Sequence, residues 1–288
     1  MIIGVGAVTI STIFATAKDL LSKKLAGQMN GNVSAGTSFL FALPWYLVLL
    51  LLAEILGFSP FEYQGQFLLY VCIRAITDSF AELFKMHALG QGEISFIANF
   101  FSLTPLFLIF LAPIITGDHI SNMGLIGLGI IVLGTLFLLK APSNTIPWKG
   151  VFYAVVSAFF MSLNICFDRL AVKQANPIFS GFMMTLLSSF ILTWPMLRVK
   201  TWKSEIKNSY KLLSIRGLYE VLFMSLKLVG LKFLEPQYAS GIQKMTLVLS
   251  VAIGGRKFNE KDQAKRIFTS LLILLGSLII VYSKIMES

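Results

Sequence analysis

The chain has 288 residues, of which 56% are hydrophobic and only 13% are charged, and its mean hydropathy is +0.78. Because soluble domains carry about 25% charged residues, this composition excludes an ordinary soluble domain. The net charge of +10 lies mostly in short loops beside apolar runs. This placement favours contact with anionic lipid head groups, and we expect no nucleic-acid partner.

Apolar runs of about 20 residues follow one another along the whole chain and predict a polytopic all-α membrane protein with ten transmembrane helices. Pro44 is expected to kink the second helix, and Pro105 lies inside the fourth. The longest polar stretches are 199–211 and 255–266, and the eighth span is predicted to begin at about 209. In chain order, the predicted spans are 2–26, 33–57, 66–89, 93–115, 122–140, 149–172, 178–198, 209–232, 236–254 and 264–284.

The ten spans divide into two repeats, 1–141 and 142–288. In the first helix of each repeat, the residues match at an offset of 145, which pairs Lys24 with Arg169 and Asp19 with Asn164. From the third helix onward the offset is 142. Because each repeat has five spans, the second enters the membrane in the opposite orientation. We therefore expect two inverted five-helix repeats, an architecture that serves alternating access with a ligand site near the bilayer midplane.

Two of these helices carry charges inside otherwise apolar runs. At 100° per residue, positions at offsets of 4, 8 and 11 fall within an arc of about 80°, so each helix presents one charged stripe. The charges of the two stripes are Arg74, Asp78, Glu82 and Lys85 in the third helix, and Arg216, Glu220 and Lys227 in the eighth.

Ten helices in two such repeats resemble the drug/metabolite transporter superfamily, in its EamA-type branch. The resemblance is carried by Ala88-Leu89, by Leu103-Thr104-Pro105-Leu106, by Gly117-Asp118-His119-Ile120 and by the glycines of the fifth helix. These motifs are diffuse, and the second copy of the short turn reads Gly255-Arg256-Lys257-Phe258. The resemblance implies an exporter or exchanger of small metabolites or drugs.

An ionised group at the bilayer centre costs about 2.5–3.5 kcal/mol, so the charged side chains are expected to face a polar cavity or one another. In the first interpretation they form a substrate site. In the second they are ion pairs that only orient helices, for example Arg74–Asp78 and Arg216–Glu220. The predicted substrate-binding residues are Asp78, Glu82, Glu220, Lys244, Arg74, Arg216, Tyr219, Tyr238, Asp19 and Asn164.

Other polar residues fit either a site or a structural role. Lys85 and Lys227 lie nearer the span ends, where snorkelling or local pairing explains them as well as a site does. Lys18 and Asp168 are candidates for a gate, a cavity wall or a plain helix interface. Gln243 is expected to point about 100° away from Lys244.

We predict a secondary transporter for a small polar metabolite, zwitterionic or anionic, and no enzyme. The sequence contains no catalytic motif, no phosphate-binding loop and no metal-binding pattern, so no cofactor or metal is expected. A proton or a counter-substrate is the candidate coupling partner. One alternative is a multidrug or amine exporter that uses an intramembrane carboxylate as its cation site. Another is a non-transporting subunit of a membrane assembly. Monomer and homodimer stay open.

The short loops favour a prokaryotic inner membrane, and ten spans place both termini on one side. Fourteen loop or span-end basic residues lie on the side opposite the termini and four lie with the termini. The positive-inside rule therefore places the termini outside the cytoplasm, whereas the family resemblance implies the reverse. Accessibility of a cysteine near residue 205 from each side of the membrane distinguishes these two topologies.

Overall fold

The computed structural model describes residues 2–57, 61–118, 121–139, 147–257 and 263–287. Within these ranges the chain forms thirteen α-helices. They are α1 (Ile2–Ala26), α2 (Gly31–Leu40), α3 (Leu43–Ile55), α4 (Phe67–Gln91), α5 (Ile94–Phe101), α6 (Thr104–Ile115), α7 (Asn122–Leu139), α8 (Trp148–Val172), α9 (Pro177–Leu197), α10 (Trp202–Phe233), α11 (Pro236–Gln243), α12 (Met245–Lys257) and α13 (Gln263–Glu287).

Three of the predicted spans are each built from two helices in line, α2 with α3, α5 with α6, and α11 with α12. Counted in this way, the thirteen helices make ten membrane-crossing segments, and the predicted fold class is confirmed. Pro44 and Pro105 lie in the first turns of α3 and α6. A proline is tolerated there because its missing N–H would have no partner in the helix. The predicted repeat boundary at 141/142 lies outside the described residues.

Two predicted bounds need correction. α10 begins at Trp202, two turns before the predicted start at 209. These turns are polar on one side, but Leu213, Trp202 and Ile206 pack with Leu25 and Val33 at the end of α1 and the start of α2. The second correction is the break between α11 and α12, which falls at Lys244, where no proline marks it.

The first helices of the two repeats are equivalent at an offset of 146, and the predicted offset of 145 was wrong by one residue. Both α1 and α8 have 25 residues, and both bounds differ by 146. The N-caps that follow, Asn30 and Asn176, keep this offset, and each side chain accepts a hydrogen bond from the backbone N–H two residues on. The predicted pairing of Lys24 with Arg169 is therefore one residue out of register, and Lys23 is the equivalent of Arg169.

Backbone carbonyls at the helix ends show the same equivalence. Lys23 Nζ donates to the carbonyl oxygens of Leu89 and Gly92, which end α4. Arg169 Nη1 donates to the carbonyl oxygens of Leu231 and Leu234, which end α10. The acceptors differ by 142 and the donors by 146. Each basic side chain thus caps the C-terminal end of the helix beside it, where the helix dipole favours a cation.

The packing follows the inverted symmetry. α1 lies along α10, α4 lies along α8, and α7 crosses α13. A Cβ atom on Gly127 would lie 2.4 Å from the carbonyl oxygen of Gly276, so the two backbones approach closely at this crossing. The equivalent contact, shifted by 142, brings Gly134 against Thr269 at a longer distance. Small residues allow such approaches between membrane helices.

We expect Gly127→Ala to destabilise the protein by about 1–3 kcal/mol, because the new methyl group meets backbone atoms that cannot rotate away. Gly129 lies on the same helix, and a Cβ there meets nothing within 4 Å. Gly129→Ala is the matched control and should leave stability unchanged or slightly raised. Thermal unfolding in detergent measures both variants, and equal midpoints for the two would contradict the close crossing.

Candidate functional site

A cavity of about 180 Å³ lies between the two repeats, and its walls come from both of them. Helices α1, α4, α8 and α10 supply its charged side chains. The breaks between α5 and α6 and between α11 and α12 face it as well. Its polar lining consists of Lys18, Asp19, Arg74, Asp78, Glu82, Lys85, Ser102, Thr104, Asn164, Glu220, Lys227, Ser240, Gln243, Lys244, Thr246 and Ser250.

The first group of ion pairs lies toward the face of the molecule where Asn176 caps α9, and we call it the Asn176 layer. Its centre is Asp168 near the end of α8, whose side chain is fully buried. Asp168 Oδ1 accepts from Arg74 Nε at 2.7 Å, and Oδ2 accepts from Lys227 Nζ at 2.6 Å. Arg74 also pairs with Asp78. One carboxylate thus joins α4 and α10 through α8.

The second group lies toward the face where Asn30 caps α2, and we call it the Asn30 layer. Arg216 is 1% exposed. Its Nη2 donates to Glu82 Oε1 at 2.5 Å, and its Nε donates to Ser22 Oγ at 2.7 Å. Lys85 Nζ donates to Asp19 Oδ1 at 2.6 Å. These contacts join α1, α4 and α10 around the opposite end of the cavity.

The corrected offsets show that the two layers are repeat equivalents. Arg74 corresponds to Arg216, and both donate through Nε to α8 or α1, to Asp168 in one layer and to Ser22 in the other. Both direct Nη2 at the facing helix. Arg74 meets the Met224 sulfur at 3.9 Å, whereas Arg216 meets Glu82, the residue equivalent to Met224. In the Asn176 layer the carboxylate that Arg74 contacts comes from α8, whereas in the Asn30 layer the carboxylate that Arg216 contacts comes from the facing helix α4.

Between the layers lie two further equivalent contacts. Asn164 Nδ2 on α8 donates to Asp78 Oδ1 on α4 at 3.0 Å. Lys18 Nζ on α1 lies 3.0 Å from Glu220 Oε2 on α10. Lys18 also lies over the Phe223 ring, 4.1 Å from its centroid. Asp78 and Glu220, the two carboxylates predicted nearest the midplane, both line the same cavity.

The pairing differs from the local pairs considered from the sequence. Arg74 pairs with Asp78 four residues on, as that interpretation proposed, but Arg216 does not pair with Glu220. Opposing helices supply closer partners for both members of the second pair. Snorkelling does not describe Lys85 or Lys227 either, because each is 6% exposed and paired with a carboxylate.

Seven of the ten predicted site residues line the cavity directly: Asp19, Arg74, Asp78, Glu82, Asn164, Glu220 and Lys244. Arg216 lies behind the wall and acts on it through Glu82. Tyr219 packs on Phe14, and Tyr238 lies in an apolar cluster with Leu247 and Ile273, so neither tyrosine belongs to the lining. Lys18, Lys85 and Lys227 line the cavity but were absent from that set. The offset of 146 would have found Lys18, because it pairs Lys18 with Asn164.

Lys244 differs from the other cavity cations. It is the single residue between the end of α11 and the start of α12, and it is 9% exposed. Its Nζ donates to the carbonyl oxygen of Phe101 at 3.4 Å, and no ion pair joins it to a carboxylate of the described residues. Gln243 lines the cavity beside it. The expected separation of about 100° therefore does not keep the two side chains from lining one cavity.

Comparison with known proteins agrees with this architecture. The model of the EamA-like transporter family matches the chain twice, over residues 2–140 and 148–282. A solved structure, described only as a crystal structure of a protein, covers 98% of this chain and 99% of its own, with a TM-score of 0.67 and 14% sequence identity. At that identity the similarity supports the fold alone. The comparison with curated proteins gave no match. His119, Ile120 and Phe258 of the resembling stretches lie outside the described residues.

Proposed function

Because the chain belongs to the EamA-like transporter family, we propose that it is a secondary transporter, an exporter or exchanger, of a small polar metabolite that is zwitterionic or anionic. The family comprises membrane transporters of small solutes. The observation that carries the proposal is the cavity between the inverted repeats, with charges of both signs on its walls and one lysine, Lys244, outside the ion-pair network. The charged and polar groups of such a cavity replace part of the hydration that a polar solute loses on binding.

The two ion-pair layers suit an alternating-access cycle. The Asn176 layer holds α8 to α4 and α10, and the Asn30 layer holds α4 to α1 and α10. The layers lie toward opposite faces and are built from equivalent positions of the two repeats. In the proposed cycle, separation of one layer opens the cavity to one side while the other layer stays closed, and the inverted symmetry gives the two open states similar energies.

The amine-exporter alternative needs a carboxylate that is available to an external cation. Asp19, Asp78, Glu82 and Glu220, the carboxylates lining the cavity, each contact a basic side chain already. A cationic substrate would have to displace a lysine or an arginine. The cavity volume of about 180 Å³ is also below the range of about 300–1,000 Å³ in which drug-sized ligands bind. Both observations favour a small polar metabolite.

Purified protein in liposomes tests the proposal through counterflow of candidate metabolites, with protein-free liposomes as the background. We expect saturable flux, and we expect Glu220→Gln to lower it at least about tenfold, since Lys18 then loses its carboxylate and the cavity charge changes. A surface substitution, Lys207→Gln, is the matched control because Lys207 is exposed on α10. Folded protein that moves no solute would favour the assembly-subunit alternative instead.

A further inference from the structure

The break between α11 and α12 forms a wall of hydrogen-bond donors. Ser240 and Gln243 come from the end of α11, Lys244 is the break itself, and Ser250 lies on α12, and all four line the cavity. Ser240 and Ser250 are each 1% exposed, and Lys244 is 9% exposed. The wall is therefore inside the protein, next to the space that a substrate would occupy.

These donors have few partners within the protein. Among the described residues, Gln243 Nε2, Ser240 Oγ and Ser250 Oγ are buried without a hydrogen-bond partner. Lys244 has the single 3.4 Å contact to the Phe101 carbonyl oxygen. A buried polar group without a partner costs about 1–3 kcal/mol. The side-chain donors of Ser240 and Gln243 have no partner in the described part of the chain, and Lys244 next to them has only that one contact, which indicates a place where a ligand supplies the acceptors.

The equivalent break in the first repeat lacks this property. Ser102 takes the place of Lys244, and its hydroxyl donates to the carbonyl oxygen of Asn99 and lies 3.3 Å from Thr135 Oγ1. Thr104 Oγ1 donates to the carbonyl oxygen of Phe101. The two breaks share their geometry, and among the described residues only the second carries a cation and unpartnered donors. The ligand-binding chemistry is therefore placed on one side of the pseudo-symmetric cavity.

We propose that the α11/α12 break binds a carboxylate and that the transported substrate is a small monocarboxylate with one net negative charge. This inference rests on the proposed transport function and narrows its substrate class. Lys244 supplies the charge, and the amide of Gln243 and the hydroxyl of Ser240, one turn before Lys244, supply neutral hydrogen bonds. Together they match the acceptor sites of one carboxylate group.

The charge balance of the cavity selects a monoanion. Among the described residues that line the cavity or pair with its lining, one cation is in excess. The cations are Lys18, Arg74, Lys85, Arg216, Lys227 and Lys244, and the anions are Asp19, Asp78, Glu82, Asp168 and Glu220. One bound negative charge neutralises the set. A zwitterion leaves an excess positive charge, and a dianion such as succinate leaves an excess negative one, which burial penalises.

The pairing of the arginines also favours a monocarboxylate over a phosphate compound. Phosphate groups are bound most strongly by guanidinium groups through two parallel hydrogen bonds. The arginine that lines the cavity, Arg74, already contacts Asp168, and Arg216 behind the wall contacts Glu82. The break itself offers a lysine, which acts as a point charge. These donors can bind a single carboxylate while the ion pairs of both layers stay formed.

The inference is tested in two steps on the purified full-length protein. First, thermal shifts are measured with monocarboxylates of increasing size, their neutral amides, the matching α-amino acids, succinate and inorganic phosphate. The monocarboxylate that stabilises most is then used in counterflow with Lys244→Met, Ser240→Ala and Lys207→Met. We expect Lys244→Met to raise KM at least about tenfold and Ser240→Ala about two- to tenfold. Lys207→Met should have no effect.

A second readout separates charge recognition from a folding defect. Lys244→Met removes the excess cation, so its preference for the carboxylate over the matching amide should fall at least about tenfold even if the yield of folded protein falls. Wild-type preference for the amide or for phosphate would overturn the carboxylate site, as would an unchanged KM in Lys244→Met. Preference for the amino acid or succinate would overturn the assignment of a substrate with one net negative charge. The transport function would still stand in those cases. Absence of flux for every probe would contradict the transport function itself.

Discussion

Asp168→Ala is expected to destabilise the protein by about 3–5 kcal/mol. Asp168 is fully buried and accepts hydrogen bonds from Arg74 and Lys227 at 2.7 and 2.6 Å. Arg74 keeps Asp78, but Lys227 is left as a buried cation without its carboxylate, and removal of one partner of a buried ion pair costs this amount. Thermal unfolding in detergent should show a midpoint lowered by roughly 6–20 °C.

The double variant Asp168→Ala/Lys227→Met separates the ion pair from the packing of the Asp168 side chain. Without Lys227 no orphaned ammonium group remains, so the double variant should be more stable than the sum of the two single losses, by about 1–3 kcal/mol. Asp168→Asn keeps the shape and should be intermediate. Strict additivity of the two substitutions would mean that Asp168 and Lys227 do not interact in the folded protein.

The sequence was sufficient for the architecture because the constraints of a bilayer are strong. Apolar runs must be about 20 residues long, and five spans in each repeat leave only an inverted arrangement. The charged stripes of α4 and α10 could also be read directly, since helical periodicity places Arg74, Asp78, Glu82 and Lys85 on one face. The structure brings Asp78 and Glu220 to one cavity. These predictions needed only the periodicity of residues within one helix, or the number of spans in each repeat.

Contacts between helices could not be predicted in the same way. The partner of a buried cation depends on side-chain reach across a helix interface, so Arg216 meets Glu82 and Ser22 although Glu220 lies one turn away on its own helix. An alignment error of one residue rotates a helix by 100°, which hid the equivalence of Ser22 with Asp168. The break at Lys244 has no proline, and only its equivalence with Ser102 beside Pro105 suggests it.

The same comparison explains how the two layers can differ in residues and still perform the same task. Each arginine reaches two partners, one on the neighbouring long helix and one on the facing charged helix. In the Asn176 layer the carboxylate is the first partner, Asp168, and the second is Met224. In the Asn30 layer the first is Ser22 and the carboxylate is the second, Glu82. Each arginine therefore keeps one interhelical carboxylate.

Glu82→Met should accordingly remove the only interhelical carboxylate that Arg216 contacts among the described residues, and we expect a loss of about 3–5 kcal/mol. Transport should fall at least about tenfold, because the Asn30 layer can no longer hold α4 to α10 in the proposed cycle. Met is close to Glu in size and is the residue found at the equivalent position 224, so packing alone should cost little. Unfolding midpoints and counterflow rates measure the two effects.

The decisive variant adds Ser22→Asp to Glu82→Met and thereby copies the Asn176 arrangement into the Asn30 layer. Asp at position 22 would face Arg216 Nε and lie near Lys85, as Asp168 faces Arg74 Nε and contacts Lys227. We expect the double variant to recover at least half of the lost stability and most of the flux, whereas Ser22→Asp alone places a third carboxylate beside Glu82 and Asp19 and destabilises. Ser22→Asn/Glu82→Met is the uncharged control and should not recover. If the Asp and Asn double variants behaved alike, the layers would not be interchangeable by charge, and their equivalence would be one of shape only.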